Sequence, residues 1–126
     1  MILLDTSALI ECLTGHPVYA PALRRAGDRG ELIALTTIVL FEWLRGPRTP
    51  RELAWQEAML PSASAKVFGH VEAAKAAELY RTVRAPRRRE LDLAIAACAI
   101  CWDARLWTAN LKDFDDIPGL EVCVPN

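Results

Sequence analysis

Three short apolar runs, Ile2-Leu3-Leu4, Leu32-Ile33-Ala34-Leu35 and Leu106-Trp107-Thr108, recur along the chain with helical stretches between them. An apolar run too short for a helix reads as a strand buried on both faces. Val122–Val124 adds a fourth. Strands that alternate with helices constrain the fold to an α/β domain, with a short, mainly parallel sheet covered by helices on both faces. In such sheets ligands collect at the carboxyl ends of the strands. Asp5, the Thr36-Thr37 pair and Asn110 all fall just past predicted strand ends.

The helices carry their own boundary signals. Thr6 or Ser7 caps a helix running to about Leu13, and Pro17 opens a second piece that stops near Gly27 or Gly30. Thr36 or Thr37 supplies the N-cap of a helix through Leu44, closed by Gly46-Pro47. Arg51–Leu60 is helical, with Pro50 near its start and Pro61 just past its end. Lys66–Phe68 reads as a small edge strand. Val71–Val83 has a helical apolar pattern with Glu72, Lys75, Glu78 and Arg81 on one side, and Pro86 breaks it. Arg89–Trp102 is apolar nearly all round, which predicts a central helix.

With 126 residues and no repeat, low-complexity segment or linker, residues 1–126 read as one domain. Half the residues are apolar (52%) and a quarter charged (25%), which excludes a disordered chain. The formal net charge is −1, so affinity for nucleic acid has to come from a local patch. No apolar run approaches the ~20 residues needed to cross a bilayer, and Asp5 interrupts the apolar start; the expectation is a cytoplasmic protein. Cys12, Cys98, Cys101 and Cys123 lie in apolar surroundings and read as small core residues. The CxxC spacing of Cys98 and Cys101 lacks the further ligands that zinc requires, since His16 and His70 are remote and unpaired.

Three lone acids stand out against this background. Asp5 follows Ile2-Leu3-Leu4, Glu42 sits within Ile38-Val39-Leu40-Phe41-Glu42-Trp43-Leu44, and Asp92 within Leu91-Asp92-Leu93-Ala94-Ile95-Ala96-Ala97. A buried carboxylate has to be hydrogen-bonded, paired or metal-bound. Each acid has a structural explanation: Asp5 as a helix cap, Glu42 on an exposed face, Asp92 in a first turn where the helix dipole favours acids. Three separate explanations are then needed where one metal site serves. Converging acids repel one another, and Mg²⁺ or Mn²⁺ removes that objection. Thr108 and Asn110 add polar groups after the third strand, and Asp113 a further acid, although turn formers also suit a simple loop there. Asp115 and Asp116 read as solvated.

The chain resembles the PIN-domain ribonucleases, specifically the VapC-type toxins of toxin–antitoxin pairs. The resemblance covers essentially the whole length. It rests on Leu4-Asp5-Thr6-Ser7-Ala8-Leu9, on Glu42, on Arg89-Glu90-Leu91-Asp92-Leu93-Ala94-Ile95-Ala96-Ala97, and on Thr108-Ala109-Asn110-Leu111-Lys112-Asp113-Phe114 followed by Ile117-Pro118-Gly119-Leu120. It implies a three-layer α/β/α sandwich and a metal-dependent endoribonuclease. One or two Mg²⁺ or Mn²⁺ ions are then held by Asp5, Glu42 and Asp92, with Asp5 and Asp92 as direct ligands. Asp113 is the expected fourth acid, Asn110 fits the same pattern, and Thr6, Ser7 and Thr108 support the site. Glu42 or Asp113 would position the attacking water. The resemblance also implies a homodimer and a cognate antitoxin whose C-terminal segment covers the site.

Arg81, Arg84, Arg87, Arg88 and Arg89 cluster just before Asp92. Arginine pairs bidentately with phosphate, so Arg84, Arg87, Arg88 and Arg89 are the expected RNA contacts, against the alternative of a solvated helix end. Trp43, Leu44, Leu53, Trp55, Met59 and Leu60 offer more apolar surface than two small helices need, which suits an antitoxin groove or dimer face. Two other readings stay open. A haloacid-dehalogenase-type phosphatase also places an aspartate after its first strand, but wants a second Asp where Ser7 stands. A non-catalytic RNA or protein adaptor would not need all three acids.

Overall fold

Pairing of β1 with a neighbour on each side sets the topology. The computed structural model describes residues 1–126. Its strands are β1 (Ile2–Leu4), β2 (Ile33–Ala34), β3 (Arg105–Trp107) and β4 (Val122–Cys123), in the order β2-β1-β3-β4, and every pairing is parallel. The helices are α1 (Thr6–Leu13), α2 (Tyr19–Asp28), α3 (Thr37–Arg45), α4 (Pro50–Met59), α5 (His70–Thr82) and α6 (Glu90–Cys101). The architecture is the expected α/β/α sandwich.

The strand order locates the site. From β1 the chain crosses to β2 on one side, whereas β3 is followed by β4 on the other. Right-handed crossovers therefore send the connections after β1 and β3 to opposite faces of the sheet. The adjacent carboxyl ends of β1 and β3 flank the crevice this divergence opens. Asp5 and Thr108 are the first residues past those two ends.

Burial explains the strand lengths and the central helix. Ile2, Leu3 and Leu4 are all fully buried, as a middle strand requires, and the apolar cluster around them takes in 28 buried residues. Seven consecutive residues of α6, Leu93–Ala99, are buried, so the helix that is apolar all round is indeed interior. Its four alanines in that stretch, Ala94, Ala96, Ala97 and Ala99, let neighbouring elements approach closely. Trp43 and Val39, one turn apart on α3, are fully buried and hold that helix to the core.

Several local expectations are corrected. Helix α1 is capped by Asp5, not by Thr6 or Ser7: the Asp5 carboxylate accepts from the Ala8 amide at 2.7 Å. β2 keeps only two of its four predicted residues: Leu32 faces solvent, and Leu35, although buried, gives its carbonyl to the Lys66 amide. The predicted strand at Lys66–Phe68 is reduced to one bridge between Thr36 and Lys66, with Val67 exposed. Thr36 does cap α3, and Thr49 with Glu52 forms a capping box that starts α4 at Pro50. Cys101 is exposed on the outer side of α6, so only Cys12 and Cys98 are core cysteines; burial pushes each of those thiols up to about 12. No helix is long and apolar enough to cross a membrane.

Candidate active site

Asp5 is 4% exposed and its carboxylate is held on both oxygens. One oxygen accepts from the Ala8 amide and from the Ser7 hydroxyl, each at 2.7 Å; the other accepts from the Thr108 hydroxyl at 2.5 Å. Ser7 and Thr108 are themselves oriented by the backbone. The Ala109 amide donates to Ser7 Oγ and the Asn110 amide to Thr108 Oγ1, both at 2.9 Å. With those lone pairs occupied, each hydroxyl proton points at Asp5. Burial raises the Asp5 pKa above the ordinary carboxylate range, while these three donors pull it back.

Glu42 reaches the same crevice from α3. Its neighbour Trp43 fixes the buried side of the helix, which turns Glu42 to the partly exposed edge. Thr6, the first residue of α1, donates to Glu42 Oε1 at 2.6 Å across 36 residues of sequence. Arg45, one turn on, faces Glu42 Oε2 at 3.4 Å.

Asp92 lies in the first turn of α6 and Asp113 on the short 3-10 turn Leu111–Asp113 that follows β3. The Asp92 carboxyl is pushed up to about 6, first by burial and then by the charges of Asp113, Asp5 and Glu42, with Arg89 opposing. Three other acids, Asp5 just past β1, Glu42 on α3 and Asp113 on the last loop, are thus within electrostatic reach of Asp92 on α6. Their oxygens are not drawn into a tight group: no three Asp, Glu, His or Cys side chains form a ready-made metal cage.

The chain as a whole is similar to known proteins. The family model described as PIN domain fits residues 2–120. The chain belongs to the PIN-domain family. Ribonuclease VapC19 of Mycobacterium tuberculosis is 35% identical over 123 residues, covering 96% of this PIN domain and 98% of that protein. A crystal structure of VapBC2 from Rickettsia felis, bound to a DNA fragment from its promoter, superposes with a TM-score of 0.78 at 24% identity, covering all of both chains. DNA-bound VapBC from Salmonella typhimurium gives a TM-score of 0.75 at 25% identity, covering 98% of this chain and 96% of that one.

Two polar contacts in this PIN domain escape a reading of the sequence, and they touch the acids. Arg45 faces Glu42 from three residues further along the same helix. Asp116 is exposed, as expected, and is also gripped by Arg89, whose Nη1 and Nη2 donate to its two oxygens at 2.9 and 2.6 Å. Arg89 therefore differs from its neighbours. Arg84, Arg87 and Arg88 are exposed and belong to no ion pair, whereas Arg89 is folded back against the last loop. The expected apolar surface also divides: Trp43 and Leu60 are buried in the core, and Leu44, Leu53, Trp55 and Met59 face solvent.

Proposed function

We propose that this PIN domain is a divalent-metal-dependent endoribonuclease acting in the cytoplasm as the toxin of a toxin–antitoxin pair. The observation that carries this reading is the gathering of acids at the carboxyl edge of the sheet: Thr108 holds Asp5 and Thr6 holds Glu42 there, and both, with Asp113, lie near enough to Asp92 to push its carboxyl up. The donor set fits Mg²⁺ or Mn²⁺, one or two ions: the acids offer hard oxygens, with no sulfur or imidazole among them. Mg²⁺ keeps several of its own waters and so takes carboxylates without a closed protein cage. Asp5 and Asp92 would hold the ion, with Glu42 and Asp113 beside them. When bound, it supplies Lewis acidity toward a phosphodiester and a water.

The chain's own groups do the rest. Ser7, Thr108 and the Ala8 amide aim Asp5 and favour its charged form against the effect of burial. Thr6 holds Glu42 by one oxygen and leaves the other for Arg45 or a water. Glu42 or Asp113 orients the water and takes its proton as the water oxygen bonds to phosphorus. The phosphorus bond to the departing ribose oxygen then breaks, and that oxygen is protonated. Arg84, Arg87 and Arg88 grip flanking phosphates, which a chain of net charge −1 needs somewhere on its surface.

An antitoxin and a second copy of the chain are the proposed partners, docking on exposed apolar surface such as Leu44, Trp55 and Met59. Co-expression with the neighbouring small reading frame is expected to yield a stable complex. The nuclease reading is tested by incubating structured and single-stranded RNAs with Mn²⁺ and the wild-type, Asp5→Ala or Asp92→Ala chain. Cleavage by the wild type alone is expected; equal cleavage by all three overturns it.

A further inference from the structure

The last loop carries Asp113 on a single exposed turn, yet that turn is tied to the helix bearing Asp92. Arg89 is the N-cap residue of α6, three positions before Asp92, and its side chain is 19% exposed. Besides its paired bonds to the Asp116 carboxylate, its Nη2 donates to the backbone carbonyl of Asp113 at 3.0 Å. On the other side the turn is anchored by Phe114 and Ile117, both buried. The planar fork of arginine suits two parallel bonds to a carboxylate, and lysine cannot reproduce them.

We infer that Arg89 and Asp116 are positioning residues: their ion pair, with the Arg89 bond to the Asp113 carbonyl, latches the Leu111–Asp113 turn onto α6 and sets the distance between Asp113 and Asp92. The charges explain why a latch is needed. Asp113 and Asp92 repel each other, and Leu111, Lys112 and Asp113 are all exposed, so nothing packed over the turn itself opposes that repulsion. Arg89 opposes it twice, by gripping the backbone of Asp113 and by placing a positive charge beside Asp92. Groups that orient metal ligands from outside typically change metal affinity by about 10–100-fold when removed. The effect on metal affinity rests on the nuclease reading; the latch itself does not.

Two measurements on the full chain separate these parts. Amide hydrogen exchange follows Asp113, Phe114 and Asp115, whose N–H groups close the turn onto Asn110 and Leu111, with the buried α6 amides as a folding control. Mn²⁺ affinity is read by electron paramagnetic resonance without RNA. Arg89→Ala and Asp116→Asn are expected to speed exchange at the turn about tenfold, leave α6 unchanged and weaken Mn²⁺ about tenfold. Arg89→Lys is expected to fall between, and the swap Arg89→Asp with Asp116→Arg to recover part of both losses. Turn amides that keep wild-type rates in Arg89→Ala overturn the latch. A loosened turn with unchanged Mn²⁺ affinity overturns its role in the site. A wild-type chain that binds no Mn²⁺ sinks the metal-site reading, and the positioning role with it, while exchange still reports on the latch. Should Arg89→Ala instead reduce the salt dependence of RNA binding by the ~0.7 expected for one lost phosphate contact on a single strand, Arg89 is a substrate contact and the inference is wrong.

Discussion

Thr108 donates its hydroxyl to Asp5 over 2.5 Å, joining residues 103 apart in the chain. The contact exists because β1 and β3 are neighbours in the sheet and end side by side. Replacing Thr108 by valine keeps the shape and removes the donor. Unfolding by urea is expected to show a loss of about 1–3 kcal/mol, the usual cost of leaving a buried acceptor short of its partner. With one donor gone the Asp5 carboxyl rises further above its usual range, so the acid limb of the pH–rate profile moves upward. A limb that stays in place would show that Asp5 does not govern activity.

Asp92→Asn is expected to make the protein more stable and less active at once. In the folded chain this carboxyl holds its proton up to about 6, against 3.8 when unfolded. Between those values the folded state binds the proton more tightly, so stability falls as pH rises through the window, and the loss persists above it. Asparagine removes this charge cost, a gain of up to about 3 kcal/mol at pH 8 that vanishes below about pH 4. Thermal melts without added metal, taken at both extremes, check the sign. A variant less stable at pH 8 contradicts the burial and repulsion argued for Asp92.

Thr6→Val tests the grip on Glu42. The lost bond lies at a partly exposed site, so stability is expected to change by less than about 1 kcal/mol. Activity is expected to fall roughly tenfold through kcat, since a mispositioned catalytic group costs orientation more than binding. Steady-state kinetics on one short RNA separate the two; a change confined to KM would assign Thr6 to substrate binding.

Arg84→Ala, Arg87→Ala and Arg88→Ala combined are expected to weaken RNA binding and flatten its salt dependence. Three lost contacts to single-stranded RNA reduce the slope of log affinity against log salt by about 2. Filter binding of an uncleaved complex, made with Asp92→Asn, reads this directly. An unchanged slope places the RNA elsewhere on the surface.

The acids that the fold gathers near Asp92 were legible because a carboxylate among aliphatic residues is costly wherever it lies. Asp5, Glu42 and Asp92 announced themselves by that conflict, and Asp113 by its place after the third strand. Asp5 also illustrates how two explanations coexist: it caps α1 through the Ala8 amide, and its charge lies within reach of Asp92. Less legible were the partners. Nothing local in the sequence relates Arg89 to Asp116, 27 residues on, or Thr6 to Glu42. Arg84, Arg87, Arg88 and Arg89 are alike as charges in the sequence, and only the fold sets Arg89 apart by pairing it with Asp116.

Local sequence determined the elements and their caps, since apolar run length, helical periodicity and side-chain competition for backbone amides act over a few residues. It also determined which residues were too polar for their surroundings. Only the tertiary structure decided what satisfies them. Strand order brings β1 beside β3, and the latch on the last loop brings Asp113 toward Asp92. Such pairings depend on distances between segments far apart in the chain, which burial of a common core sets and no single segment encodes.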